Sequence, residues 1–164
     1  MIHDVKCRLF FSGPDVDIQS LIHRISTKKP KRDIDFEKII PYPENIYKGP
    51  LTAEALREHG TNNWYEFNRR YWGAYYNAYE TERTGNMIEF LTAWKPPLDI
   101  IRKLSTLFPN ILFNLKWCGQ SPDGYAGEMV VENGEPFYDY TAAKENKAEF
   151  YQSMWGFPMP EIEE

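Results

Sequence analysis

Two stretches decide the fold. The first is Val5-Lys6-Cys7-Arg8-Leu9-Phe10-Phe11, followed by Gly13-Pro14 and then by Ile18, Leu21, Ile22 and Ile25; the second is Ile88-Glu89-Phe90-Leu91-Thr92-Ala93-Trp94, followed by Pro96-Pro97 and then by Ile100, Ile101, Leu104, Leu107 and Phe108. In the first, apolar residues alternate with Lys6 and Arg8, the period-two pattern of a half-buried strand. Glycine and proline break the strand, and apolar residues then recur at spacings of three and four, the stripe of an amphipathic helix. Placing Pro14 on Pro97, 83 residues later, also places Cys7 on Phe90, Phe11 on Trp94, Ile18 on Ile101, Leu21 on Leu104 and Ile25 on Phe108. Any two strand-helix units can be slid into some register. The alternative is an internal duplication, with two strand-helix units paired about a pseudo-twofold axis.

The flanking segments extend the second reading into an α+β, ferredoxin-like split βαβ antiparallel sheet. Its strands around Leu9 and Phe90 are expected to be adjacent and central, with the helices containing Leu21 and Leu104 on one face. Phe36 to Ile40, before Pro41, reads as the strand closing the first unit, and Ile111, Phe113, Leu115 and Trp117 alternate to close the second. Gly127 to Glu132 and Pro136 to Tyr140 flank Asn133-Gly134, the dipeptide a type I′ hairpin turn prefers because both central residues need positive φ. That hairpin adds to one edge of the sheet. A last helix is expected from an N-cap at Thr141 to Trp155, ended by Gly156 and Pro158.

Residues 1–157 thus read as one ferredoxin-like domain, with 158–164 a loose acidic tail. An aromatic-rich insertion, about 42–79, separates the two halves. It carries a short helical stretch from Thr52 to His59, then Trp64, Phe67, Tyr71 and Trp72 at helical spacing. Phe10 and Leu91 lie on the sheet face opposite the helices and ask for cover, which the insertion is expected to supply with Trp64, Phe67 and Tyr71.

Composition sets the outer bounds. At 164 residues the chain is long enough to bury roughly 70% of its unfolded surface without disulfide or metal staples. Hydrophobic residues at 42% and charged residues at 26% are the balance of a globular chain. A net charge of −5 means that the molecule as a whole repels nucleic acid and anionic membranes, so either ligand would need a local basic patch. Cys7 and Cys118 each sit in an apolar run and are expected to be free, buried thiols. No apolar run reaches the roughly 18 residues of a membrane span, and Met1-Ile2-His3-Asp4 lacks the features of a signal peptide, so a cytoplasmic location is expected.

Several motifs together resemble one family. Phe36-Glu37-Lys38-Ile39-Ile40-Pro41-Tyr42-Pro43, Asn63-Trp64-Tyr65 through Trp72-Gly73 to Asn77-Ala78-Tyr79, Thr92-Ala93-Trp94-Lys95-Pro96-Pro97, and Gly124 to Gly127 are similar to the Api92-like family, also described as carrying a YubB ferredoxin-like domain. The similarity runs from about Lys6 to Gly127. It implies an uncharacterised protein of bacteriophages, plasmids and related mobile genetic elements, with no assigned catalytic residues. The chain has His3-Asp4-Val5-Lys6-Cys7 where the family often has an Asn-Trp-Cys segment, and Tyr75-Tyr76 where it often has Lys-Trp.

The residues themselves offer no catalytic constellation. His3, His23 and His59 are scattered, with no metal-ligand spacing; no serine sits in a glycine-flanked elbow, and no glycine loop joins a strand to a helix as a phosphate cradle does. Glu80 and Glu82 share one strand face, which solvent exposure explains. The expectation is a non-enzymatic protein without cofactor or metal that binds a host or phage protein, with inhibition of a host or competitor system as its use. Tyr65, Arg69, Trp72 and Tyr75 are the candidate binding residues, because Tyr, Trp and Arg dominate interfaces. Nucleic-acid binding is the alternative, through Lys6, Arg8 and Phe10 on an open sheet face together with the basic loop bearing Lys28, Lys29 and Lys31.

Overall fold

The computed structural model describes residues 3–161. Strand β1 (Asp4–Ser12) leads into helix α1 (Asp15–Ile25), and a small two-stranded hairpin follows, β2 (Thr27–Lys28) with β3 (Lys31–Arg32). Helices α2 (Ala53–His59) and α3 (Trp64–Phe67) precede strands β4 (Tyr79–Thr84) and β5 (Met87–Ala93), helix α4 (Leu98–Leu107), strands β6 (Leu112–Gly119), β7 (Ala126–Glu132) and β8 (Glu135–Thr141), and helix α5 (Lys147–Trp155). The main sheet has six strands in the order β4-β5-β1-β6-β7-β8, every neighbouring pair antiparallel.

β1 and β5 are adjacent in the middle of the sheet, with Cys7 directly opposite Phe90. That pair is also joined by the 83-residue offset of the sequence, so the pseudo-twofold relating the two strand-helix units passes between these two residues. Val5, Cys7, Leu9, Phe11, Ile88 and Phe90 point to one side and meet Ile18, Leu21 and Ile25 of α1 and Ile100, Ile101 and Leu104 of α4 in one buried cluster. The hairpin at Asn133-Gly134 forms as its sequence requires: φ is +47° and +79° at the two turn residues, and Glu132 pairs with Glu135.

Three expectations are corrected. Phe36 to Ile40 is not a strand: Phe36–Lys38 forms a single 3-10 turn, capped by the Asp35 carboxylate accepting from the Glu37 N–H at 3.0 Å. Phe36 and Ile39, three apart, are both buried in the helical-side core, and β4 takes the strand position beside β5. The last helix does not begin at Thr141, which still belongs to β8; α5 starts at Lys147 and ends at Trp155, with Gly156 in the left-handed conformation.

The cover over the second sheet face is the third. It comes from α5, whose Tyr151 and Met154 pack on Cys118 and Ala126, with Phe150, Trp155 and Met159 around them. The insertion packs instead on the helical side, where Trp72, Ala74 and Ala78 join the main core. Met159, in the segment expected to be loose, packs against the second cluster, and residues 162–164 lie outside the described residues.

Candidate functional site

The insertion explains how an aromatic face is built. Asn63 caps α3, its side chain accepting from the Glu66 N–H, and the helix then widens into a π turn over Asn68–Trp72. In an uninterrupted α-helix Phe67 and Tyr71, four apart, would share one face. The π turn inserts one residue, so Trp72, five after Phe67, takes the inward place and Tyr71 is left exposed. Trp72 is 1% exposed; its indole N–H donates to the Ile40 carbonyl at 2.9 Å, and its ring stacks on Tyr42 at 5.0 Å. Trp72 therefore leaves the candidate binding set and becomes a core anchor, while Tyr71, expected in the core, leaves it for the surface.

Of the four candidate residues the structure brings two together. The Tyr65 and Tyr75 rings stack at 5.7 Å with planes 19° apart, and Lys95 Nζ lies 5.2 Å from the Tyr75 ring centre. Arg69 is exposed and paired with Glu66 at 3.2 Å, within its own helix. Tyr65 and Tyr75 line a shallow cleft of about 370 Å³ with two residues that sequence reasoning missed, Tyr76 and Trp94.

Trp94 departs from the internal repeat. Its counterpart Phe11 is buried, but Trp94 lies one residue beyond β5, is 47% exposed and has φ +72°. A bulky side chain in the left-handed region costs about 1–2 kcal/mol. The turn is held on both sides: the Trp94 N–H donates to the His3 carbonyl at 2.8 Å, and the hydroxyl of buried Thr92 donates to the Lys95 carbonyl at 2.9 Å. The only sequence signal was Pro96-Pro97, which restricts Lys95 and cuts the strand short.

The nucleic-acid residues fare differently. Arg8 Nε donates to Glu89 at 2.8 Å, and its other nitrogens donate to the Ser153 and Met154 carbonyls at 3.2 Å, closing orphan acceptors at the C-terminal end of α5. Lys6 Nζ sits 4.5 Å from the Trp155 ring centre and 3.9 Å from Glu89. The open sheet face is thus closed over Lys6 and Arg8, and Phe10 alone of the three stays exposed, with Lys116 Nζ 5.8 Å from its ring centre. Lys28, Lys29 and Lys31 are exposed on the β2–β3 hairpin.

Both thiols are free and buried. Burial pushes Cys7 up to about 12 and Cys118 up to about 11, away from nucleophilic use at neutral pH. Among the described residues, no group of three His, Cys, Asp or Glu could hold a metal ion, and no helix is long and apolar enough to cross a membrane.

Comparison with protein families matches residues 72–162 to the ferredoxin-like domain in Api92-like protein. The chain belongs to the Api92-like family. The matched range runs from Trp72 through β4 to α5, and so includes Tyr75, Tyr76 and Trp94 of the cleft. Tyr65, the central strand β1, α1 and the Phe36 to Pro43 motif lie before it. Comparison with curated proteins and with solved structures gives no match.

Proposed function

We propose that this Api92-like protein is a non-catalytic binding module of a mobile genetic element, working in the cytoplasm, and that the face formed by Tyr65, Tyr75, Tyr76 and Trp94 takes a host, phage or competitor protein and inhibits it. The observation that carries the reading is Trp94: a tryptophan held in a strained backbone conformation with its ring turned out of the core, beside a stacked tyrosine pair. Strain of this kind persists where the surrounding structure imposes it, and it gathers at ligand-binding positions. Tyr and Trp supply large, rigid contact area at small cost in side-chain entropy.

Trp94→Gly tests the proposal with little damage to the fold, because glycine adopts φ +72° freely and the lost ring lies outside the buried core, about half exposed. In pull-downs from plasmid-bearing or infected host extract, Trp94→Gly and Tyr65→Ala/Tyr75→Ala should lose the partner that the wild type recovers, with the melting temperature of Trp94→Gly unchanged or higher. Recovery at the wild-type level by both folded variants would move the binding surface elsewhere.

The three exposed lysines of the β2–β3 hairpin keep a nucleic-acid reading open to test. It requires salt-sensitive retention on single-stranded RNA or DNA that Lys28→Glu/Lys29→Glu/Lys31→Glu abolishes. No retention of the wild type at low salt would remove it.

A further inference from the structure

Trp94 also lines a second pocket, of about 260 Å³. Its walls come from three places that the sheet brings to one end: His3 and Asp4 at the start of β1, Trp94 just past β5, and residues Gly119 to Tyr125 between β6 and β7. The His3 ring meets the Trp94 ring edge-on at 4.7 Å, and Tyr125, 75% exposed, lines the pocket as well. Two carboxylates belong to the wall, Asp4 and Asp123, and no Lys or Arg of the described residues lines it.

The rim is fixed by the backbone and by one buried cation. Gln120 N–H donates to the Asp4 carbonyl at 2.8 Å and Gly119 N–H to the Tyr125 carbonyl at 2.9 Å. Behind the loop, the Lys147 ammonium donates to the Ser121 and Pro122 carbonyls, both at 2.7 Å. Ser121 is itself part of the wall, so this one positive charge stands directly behind the pocket and near Asp123; set against Asp4 and Asp123 it leaves the wall and its backing net negative. Asp4 Oδ1 already accepts from the Tyr79 hydroxyl, but an ionised carboxylate has further acceptor sites. Asp123 is exposed.

The geometry points to a binding site for the side chain of an arginine. Aromatic faces and carboxylates around one small pocket attract a cation, and a planar guanidinium can lie flat on an indole while two N–H groups of its edge pair with a carboxylate, a fork that a point-like ammonium lacks. Because Trp94 is shared between the two clefts, the arginine is assigned to the protein partner seated on Tyr65 and Tyr75. In that respect the inference rests on the binding-face reading, but the test of the pocket does not require the partner.

The test is an NMR titration of the ¹⁵N-labelled full chain with Nα-acetyl-arginine N-methylamide, beside the matching citrulline and lysine compounds. Citrulline keeps the shape and loses the charge. The arginine compound should shift the indole N–H of Trp94 and the amides of Gly119 to Ser121 and Asp123 to Tyr125, the lysine compound should bind more weakly, and citrulline should leave them unmoved. Asp123→Asn, at an exposed site, should weaken arginine binding about three- to tenfold without changing the spectrum elsewhere. Equal shifts from arginine and citrulline, or no shift at roughly 50 mM, where even a 10 mM site is mostly filled, would overturn the assignment. Arginine binding to the wild type together with undiminished partner capture by Asp123→Asn would sever the pocket from the partner. Loss of capture in Tyr65→Ala/Tyr75→Ala with arginine binding absent from the wild type would leave the binding face standing and remove the pocket.

Discussion

Replacing Trp72 by alanine measures whether the π turn sets the register of the insertion. Trp72 is 1% exposed, stacks on Tyr42, meets Phe36 edge-on at 5.7 Å and satisfies the Ile40 carbonyl. Truncating a buried tryptophan costs about 3–5 kcal/mol, and the orphaned carbonyl places Trp72→Ala toward the upper end. Trp72→Phe keeps most of the volume and loses the N–H, for about 1–2 kcal/mol. Tyr71→Ala removes an exposed ring whose main neighbour is Phe67 at 4.7 Å, for about 0.5–1 kcal/mol. Urea unfolding read at constant m orders the three variants, and a chain of this size has about 5–15 kcal/mol to lose, so a folded population remains to be measured. An uninterrupted α-helix would reverse the ranking. If Tyr71→Ala costs as much as Trp72→Ala, the π turn does not set which ring faces the core.

Leu104→Ala, at the fully buried stripe of α4, should cost about 2–5 kcal/mol in the same assay, and a loss under about 1 kcal/mol would mean that the α4 face does not pack as described. Alkaline stability follows from the thiols. Both have ordinary values of 9.0, and burial raises Cys7 to about 12 and Cys118 to about 11. Above pH 9 the unfolded chain releases protons that the folded chain keeps. The stabilisation is therefore complete below about pH 9 and is lost as pH climbs through 11 to 12, at about 1.4 kcal/mol per thiol per pH unit. Thermal unfolding between pH 8 and pH 10.5 should show the fall, and Cys7→Ala should make it shallower, leaving the share of Cys118; a flat wild-type profile would contradict the buried thiols.

The local elements were legible where the sequence repeats a pattern. Cys7 with Phe90 and Leu21 with Leu104 carried the strand pairing and the helix layer, and Asn133-Gly134 carried the hairpin. Phe36 to Ile40 misled because five residues of mixed apolar and charged type fit a strand or a turn of helix; the decisive features were Asp35 as a cap and the spacing of Phe36 and Ile39. Lys147, Tyr151 and Met154 mark a helix face at spacings of four and three, yet nothing local says which side of the sheet it will cover. The contacts that hold it there are distant in sequence: Arg8, 145 residues from Ser153, meets the end of α5, and Cys118 and Ala126 receive Tyr151 and Met154. The site was half legible: Tyr65 and Tyr75 come together, whereas Trp72 and Trp94 exchange roles. One is drawn in by a π turn and the other put out by a left-handed residue, and hydrophobic periodicity registers neither.

Photocrosslinking tests a protein-binding face around Trp94 inside the cell. A benzoylphenylalanine in place of Tyr76, on the rim of the aromatic cleft, should form an adduct with one protein partner in infected or plasmid-bearing cells, and Trp94→Gly in the same chain should abolish it. The same probe in place of Val16, exposed on α1, should give no such adduct. An adduct from position 16 and none from position 76, or adducts at position 76 that nuclease removes, would contradict a protein-binding face around Trp94.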